Sequence, residues 1–196
     1  MKLLLATQNK HKVVELKQLL KDYPQFEVIS LNDISIQDDV EETGLTFEAN
    51  ARLKALHFYR LTQIPCIADD SGLEIEALNN EPGIYSARYL GENTSYTIKN
   101  QVILDRLQNS DNRDARFVSV VCLVLDEERV YSFEGIMQGT IGYEAKGSNG
   151  FGYDPIFVPK GYSQSYAEMD LEVKNHLSHR GQALRKATDF LEKSAL

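Results

Sequence analysis

Short apolar runs alternate along the chain with segments in which apolar residues recur at helical spacing. The apolar runs predict strands at residues 3–6 and 26–31. The helical spacing predicts helices over residues 10–21 and, behind a Thr46 cap, over 47–61. Because strand and helix signals alternate, we expect an α/β protein.

The second half of the chain continues this alternation. A helix is predicted from Thr94 or Ser95 to Leu107. Two long strand-like runs, at residues 115–125 and 129–143, predict a hairpin in the middle of an elongated mixed sheet. The other predicted elements are short strands or helices at residues 73–78, 155–158, 170–176 and 181–193.

A strand predicted after Pro65 ends abruptly in Asp69, Asp70, Ser71 and Gly72. Ligands of open α/β sheets bind at the carboxyl ends of strands, so we expect a site at this point. Two adjacent carboxylates repel each other unless a cation or a shared proton relieves them. We expect Mg²⁺ with a phosphate substrate, because Mg²⁺ binds carboxylates together with phosphate oxygens.

Composition narrows the class of protein. At 196 residues, we expect a single domain over 1–196, or two closely merged lobes. The formal net charge of −8 argues against a nucleic-acid polymer as partner but allows a small phosphorylated ligand held by local cations. Cys66 and Cys122 lack metal-ligand spacing and are expected as buried free thiols. No segment approaches the roughly 20 apolar residues of a membrane span, and the apolar start is too short for a signal peptide. We therefore expect a cytoplasmic protein with no membrane partner.

The junction of the first strand and the first helix is a candidate phosphate site. Its polar side chains are those of Thr7, Gln8, Asn9, Lys10, His11 and Lys12. A helix N-terminus favours phosphate, and a lysine in the first turn adds a point charge. The alternative is an ordinary solvated capping loop.

A glycine-rich segment at residues 148–155 is a candidate base site. Gly152 allows close backbone approach to a ligand, and Phe151 is suited to stack on a flat base. Tyr153 lies between them and Asp154, whose backbone is restricted by the following proline. The alternative is an ordinary glycine turn with a core aromatic.

Two charged groups complete the set of candidates. Lys174, His179 and Arg180 lie just before the last predicted helix and could bind phosphate or a purine, or merely lie on a solvated helix. Glu41 and Glu42 belong to an acidic loop, which is either solvated or joins the two aspartates around a metal.

Together these residues resemble the inosine triphosphate pyrophosphatase family, from Leu4 to about Leu191. The matching blocks are Thr7-x-Asn9-x-x-Lys12, Glu41-Glu42-Thr43-Gly44-Leu45-Thr46-Phe47-x-x-Asn50-Ala51, Ala68-Asp69-Asp70-Ser71-Gly72-Leu73, Pro82-Gly83-Ile84-Tyr85-Ser86-Ala87-Arg88-Tyr89, Gly150-Phe151-Gly152-Tyr153-Asp154-Pro155-Ile156-Phe157 and Ser178-His179-Arg180-Gly181. Six ordered blocks are a specific signal, whereas the first alone would be weak.

The resemblance implies Mg²⁺-dependent hydrolysis of ITP, dITP and XTP to the monophosphate and pyrophosphate, which keeps these nucleotides out of DNA and RNA. It implies an elongated mixed β-sheet with flanking helices that form two lobes around a central nucleotide-binding cleft, in a homodimer. Asp70 would accept the proton and bind the metal, and Asp69 with Glu41 or Glu42 would complete the acidic cluster. The expected substrate contacts are residues 7–12, Ser71, Phe151, Gly152, Tyr153, Asp154, Lys174, His179 and Arg180.

Three alternatives stay open at this point. Either Asp69 or Asp70 could carry the proton, since coupled carboxylates titrate together. The chain could instead be a Maf-type pyrophosphatase acting on pyrimidine or modified nucleotides. It could also be a nucleotide-binding sensor, although converging carboxylates would repel phosphate unless a metal intervenes.

We expect Lys12→Ala to weaken triphosphate binding, because the lysine ammonium offsets negative charge on the phosphates. Steady-state kinetics with the preferred nucleotide would show a raised KM as the main change. Unchanged KM and turnover would remove Lys12 from this role.

Overall fold

The structure is a computed structural model that describes residues 1–193. The last three residues of the expected domain, 194–196, lie outside the described residues. The strands of the described part are β1 (Lys2–Leu5), β2 (Glu27–Ser30), β3 (Cys66–Ile75), β4 (Glu81–Pro82), β5 (Asp114–Val124), β6 (Val130–Ile141) and β7 (Phe157–Pro159). Its α-helices are α1 (Lys10–Leu20), α2 (Phe47–Thr62), α3 (Tyr96–Arg106), α4 (Leu171–Leu177) and α5 (His179–Lys193).

All seven strands belong to one mixed sheet, with the order β2-β1-β3-β5-β6-β7 and with β4 paired to β3. Strand β1 is parallel to both β2 and β3, whereas the β3–β4 and β6–β7 pairs are antiparallel. The predicted hairpin is the β5–β6 pair, which lies inside the strand order and is closed by a hydrogen bond from Leu125 N to Arg129 O. The expected α/β class with a mixed sheet is confirmed.

Short polar side chains cap the starts of three helices, and two of these caps, those of α2 and α3, are the ones that the sequence predicted. Asn9 Oδ1 accepts the backbone N–H groups of His11 and Lys12, and Thr46 accepts that of Ala49. Ser95, rather than Thr94, caps α3 by accepting the N–H of Ile98. Each cap satisfies N–H groups that have no partner inside the helix.

The prediction that a strand ends at the two aspartates is wrong. Strand β3 continues through Asp69 and Asp70 to Ile75, and residues 76–78, predicted as strand, form a 3₁₀ turn. Polar side chains do not stop a strand whose backbone groups are paired. Here Glu74 and Ile75 pair with β4.

The described residues form two compact units. The first comprises Met1–Asp70, Ser119–Gly135 and helix α5 from Arg180. Its core is mainly aliphatic and unites α1, α5 and the strands between them. The fully buried members include Leu3, Leu5, Leu16, Ile67, Val121, Leu123, Ala183 and Ala187.

The second unit comprises Ser71–Val118 and Ile136–His179. Its core is rich in rings: Phe117 lies 4.7 Å from Phe157 and 5.8 Å from Tyr166, measured between centroids. None of the helices in residues 1–193 is long and apolar enough to cross a membrane.

Candidate active site

The two aspartates of β3 belong to different side-chain environments. Successive side chains of a strand point to opposite faces. Asp69 accordingly contacts Lys12 and Arg180, from α1 and α5, whereas Asp70 contacts residues of α2. The repulsion expected between adjacent carboxylates is therefore relieved by side-chain cations and by the alternation of the strand.

Asp69 lies in a buried network of four alternating charges. Its Oδ2 is 2.9 Å from Lys12 Nζ and 3.1 Å from Arg180 Nε. Arg180 Nη1 donates in turn to the Glu15 carboxylate, which is also buried. Burial disfavours the ionised Asp69, but Lys12 and Arg180 outweigh it and hold the pKa of that carboxyl well below its usual range.

Asp70 belongs to a second group of side chains, in which two carboxylates share one lysine. Asn50 Nδ2 donates to Asp70 Oδ2 at 3.1 Å, and Lys54 Nζ is 3.6 Å from Asp70 Oδ1. The same ammonium is 2.5 Å from Glu42 Oε1. Burial raises the pKa of Asp70 despite the lysines nearby. Burial opposes the charge on Lys54, yet the Asp70 and Glu42 carboxylates raise the pKa of its ammonium.

We call Glu42, Asn50, Lys54 and Asp70 the Asp70 cluster. Sequence reasoning gave roles to Glu42 and Asp70. It placed Asn50 in a matching block without a role, and it missed Lys54 and Glu15. The available signal was spacing: Asn50 and Lys54 are four residues apart on α2, so they lie on one helical face. That face adjoins the buried stripe of the helix, where polar side chains are unusual unless they have partners.

Glu41, the other expected metal ligand of the acidic loop, does not belong to the Asp70 cluster. Glu41 is exposed, and among residues 1–193 its side chain has no recorded partner, whereas Glu42 pairs with Lys54. No three His, Cys, Asp or Glu side chains of the described residues form a group that could hold a metal alone. Any metal here would need further ligands from a substrate or water.

The Thr7–Lys12 segment is organised by its own side chains. Thr7 Oγ1 accepts the N–H of Asn9 at 3.2 Å, and Asn9 Oδ1 takes two N–H groups at the start of α1. Gln8 Nε2 donates to Ile36 O at 3.1 Å, which ties the segment to the acidic loop. Lys10 and His11 are exposed.

The glycine-rich segment of the second unit forms a tight turn, which we call the glycine turn (residues 150–154). Asp154 Oδ2 accepts Phe151 N at 2.8 Å and Lys174 Nζ at 2.6 Å, and both charged side chains are buried. Lys174 Nζ also lies 5.0 Å from the Phe151 ring centroid. Gly150 has φ +71°, and a Cβ there would lie 2.1 Å from Asp154 Oδ2, so only glycine fits.

Tyr153 is a core residue whose side chain is 2% exposed. Its hydroxyl donates to Ser86 O at 2.8 Å and its ring packs edge-on against Tyr96. Burial raises the pKa of this phenol. The ring and hydroxyl are therefore part of the core of the second unit.

The remaining predicted residues lie at the edges of these clusters. The His179 ring stacks on Phe117, with centroids 4.6 Å apart and planes inclined by 7°. It is 3% exposed, as is Arg180. Ser71 is half-buried on β3 directly after Asp70. The structure thus joins Lys12, Asp69 and Arg180 in one network, and Phe151, Asp154 and Lys174 in another.

This α/β protein, whose carboxylate–ammonium clusters are described above, has clear relatives among known proteins. A Flavobacterium johnsoniae protein named dITP/XTP pyrophosphatase is 43% identical over 97% of this chain and 98% of its own. A Desulforamulus reducens protein of the same name is 45% identical, over 98% and 96%. The structure of the Staphylococcus aureus Ham1 protein has a TM-score of 0.88 at 39% identity and covers 99% of this chain and 100% of that chain.

A model of the Ham1 family matches residues 3–190. Fold and sequence therefore agree, and this chain belongs to the Ham1 family. The resemblance expected from the six sequence blocks is confirmed.

We expect Arg180→Met to destabilise the protein, because it leaves Asp69 and Glu15 as buried carboxylates with one shared cation fewer. The free energy of unfolding should fall by about 3–5 kcal/mol. Arg60→Met is the matched control, since Arg60 pairs with Glu127 at 2.9 Å but both side chains are more than half exposed. Urea unfolding of the two variants should show a large loss only for Arg180→Met, and equal losses would contradict the role of the network.

Proposed function

We propose that this chain hydrolyses non-standard purine nucleoside triphosphates, ITP, dITP and XTP, to the monophosphate and pyrophosphate. The observation that carries the proposal is the Asp70 cluster, in which a buried carboxylate with a raised pKa faces a lysine and a second carboxylate. The names of the relatives support the substrate class. Removal of such nucleotides would keep them out of DNA and RNA.

The Asp70 cluster has the donor chemistry for Mg²⁺. Lys54 Nζ lies 2.5 Å from Glu42 Oε1 and 3.6 Å from Asp70 Oδ1, so these two carboxylates already share a cation of the chain itself. Two carboxylates are also what Mg²⁺ typically takes from a protein, with phosphate oxygens and water completing its six ligands. Asp70 and Glu42 would hold the metal, which would supply charge neutralisation and a more acidic water.

The residues of the first unit have separable roles in this reaction. Asp70 would accept the proton of the attacking water, because a carboxyl of raised pKa is a better base near neutral pH than an ordinary one. The ammonium groups of Lys12 and Lys54 would offset charge on the pyrophosphate leaving group. Asp69 is assigned a positioning role, since it holds Lys12 at 2.9 Å.

Base recognition is assigned to the glycine turn. Phe151 would stack on the purine, with its N–H held by Asp154. Inosine and xanthine carry a carbonyl at the purine 6-position, where adenine carries an amino group. A backbone N–H aimed there donates a hydrogen bond to the carbonyl, whereas it meets the amino group as donor against donor, which costs about 1–3 kcal/mol. His179 and Arg180 stay predicted contacts of the base or phosphates.

The expected homodimer and cytoplasmic location stay predictions. The Maf-type alternative has no support among the relatives, whose names specify dITP and XTP. The sensor alternative differs from the enzyme only in turnover.

The proposal is tested by incubating the protein with Mg²⁺ and, separately, ITP, XTP, GTP, ATP and dTTP. Pyrophosphate released from ITP and XTP, with little orthophosphate and little product from the others, is the expected result. Product from dTTP alone would favour the Maf-type activity. Tight nucleotide binding without product would make the chain a sensor.

We expect Asp70→Asn to fold normally and to lose turnover by orders of magnitude, because the amide cannot accept the proton. Asp39→Asn is the matched control: it removes the same charge from the exposed acidic loop, where Asp39 Oδ1 accepts the N–H of Val40. Single-turnover rates of pyrophosphate release would separate chemistry from product release. Activity near the wild-type level in Asp70→Asn would exclude this role.

We also expect Mg²⁺ to bind weakly without nucleotide and more tightly with it, because the protein offers two carboxylates and the phosphates supply other ligands. Calorimetry with Mg²⁺, in the presence and absence of the monophosphate product and pyrophosphate, measures this difference. Glu42→Gln should reduce the affinity and Glu41→Gln should not. The opposite order would exchange the two glutamates.

A further inference from the structure

We propose that Asn100, a buried residue of α3, strengthens the preference for 6-oxopurines by stabilising the orientation of one peptide group in the glycine turn. The inference rests on the proposed function and assigns a positioning role to a residue outside the blocks that carry the family resemblance. The peptide group is the one that joins Gly152 to Tyr153.

The contact that holds this peptide is direct. Asn100 is 5% exposed, and its Nδ2 donates to Gly152 O at 3.1 Å. Since a carbonyl oxygen only accepts, the amide must present its nitrogen to Gly152, which fixes the side-chain orientation. The carbonyl therefore points toward α3.

The opposite side of the same peptide carries a donor. In a trans peptide the C=O of one residue and the N–H of the next point in opposite directions. Among residues 1–193 the cis peptide is Glu81–Pro82, so Gly152–Tyr153 is trans. The Tyr153 N–H consequently points away from α3, and no hydrogen-bond acceptor for it is present among the described residues. This N–H is the donor that a 6-oxopurine needs.

Rotation of this peptide by half a turn would change ψ of Gly152 and φ of Tyr153 together. Gly152 has φ +69° and no Cβ, so it tolerates the change. Tyr153 would leave φ −91° for a positive φ, which is strained for a bulky side chain. The Asn100 hydrogen bond adds to this backbone preference for the present orientation.

The two orientations favour different bases. With the N–H directed to the ligand, the turn complements the carbonyl of hypoxanthine and xanthine. After rotation by half a turn, Gly152 O would face the ligand and would accept a hydrogen bond from the 6-amino group of adenine. Loss of the Asn100 contact should therefore weaken 6-oxopurine binding and strengthen adenine binding.

Packing alone does not account for an amide at this position. The other polar atom of the side chain, Oδ1, is buried and has no hydrogen-bond partner among the described residues. An unpaired buried acceptor is unfavourable, and leucine would fill a similar volume without it. The amide is explained by the hydrogen bond that its Nδ2 donates to Gly152 O.

The test compares Asn100→Leu and Asn100→Asp with the wild type and with Gln101→Leu. Leucine removes the donor, and aspartate replaces it with a group that repels Gly152 O. Gln101 is the neighbouring exposed residue of α3 and donates only to Asp105 Oδ1, at 2.8 Å. Thermal unfolding identifies the variants that retain the fold. Two Asn100 substitutions of different polarity keep the test usable if one of them does not fold.

Two readouts are measured for each protein: the ratio of dissociation constants for IMP and AMP, and the ratio of kcat/KM for ITP and ATP. We expect both preferences to fall by about tenfold or more in the Asn100 variants, with improved binding of AMP, and to stay unchanged in Gln101→Leu. A merely structural role would weaken both nucleotides equally and leave the ratios unchanged, which would overturn the inference.

The binding ratio separates this inference from the proposed function. If the wild type does not hydrolyse ITP, the proposed hydrolysis fails, while the preference for IMP over AMP still tests Asn100. A wild type without that preference, or a folded Asn100 variant that keeps it, would contradict the assignment.

Discussion

The alternation of side chains along β3 is the constraint on which the first cluster depends. Asp69 and Asp70 are adjacent in sequence, but the period of two in a strand directs them to opposite faces. One carboxylate is therefore committed to a balanced buried network with Lys12 and Arg180. The other carboxylate, that of Asp70, has fewer cations close to it, and its pKa is raised. The same dipeptide thus supplies a structural anion and a candidate base.

The free-energy cost of burying a charge explains why so many charged side chains pair with one another. An unpaired buried ion is strongly unfavourable, so Lys12, Lys54 and Arg180 are each paired with a carboxylate. Glu15 and Arg180 support Asp69 without being exposed. In the second unit, Lys174 and Asp154 repeat the principle at 2.6 Å and stiffen the glycine turn. Rigid polar groups of this kind hold donors and acceptors in place before a ligand arrives.

Much of the fold followed from local pattern. The helix caps at Thr46 and Ser95, the long hairpin and the strand–helix alternation depend on residues close together in sequence, and the structure confirms them. The end of β3 was predicted wrongly because polarity was taken as a stop signal. Strand continuation depends on pairing with β4, a partner that local sequence does not reveal.

The sequence by itself determined the α/β class, the caps and the residue types available for chemistry, because these depend on neighbours within a few positions and on composition. Only the tertiary structure decided which charges meet. Asn50 and Lys54 reach Asp70 across 20 and 16 positions of chain, Arg180 reaches Asp69 across 111, and Asn100 reaches Gly152 across 52. Such contacts form because burial forces each polar group to find a partner, wherever in the sequence that partner lies.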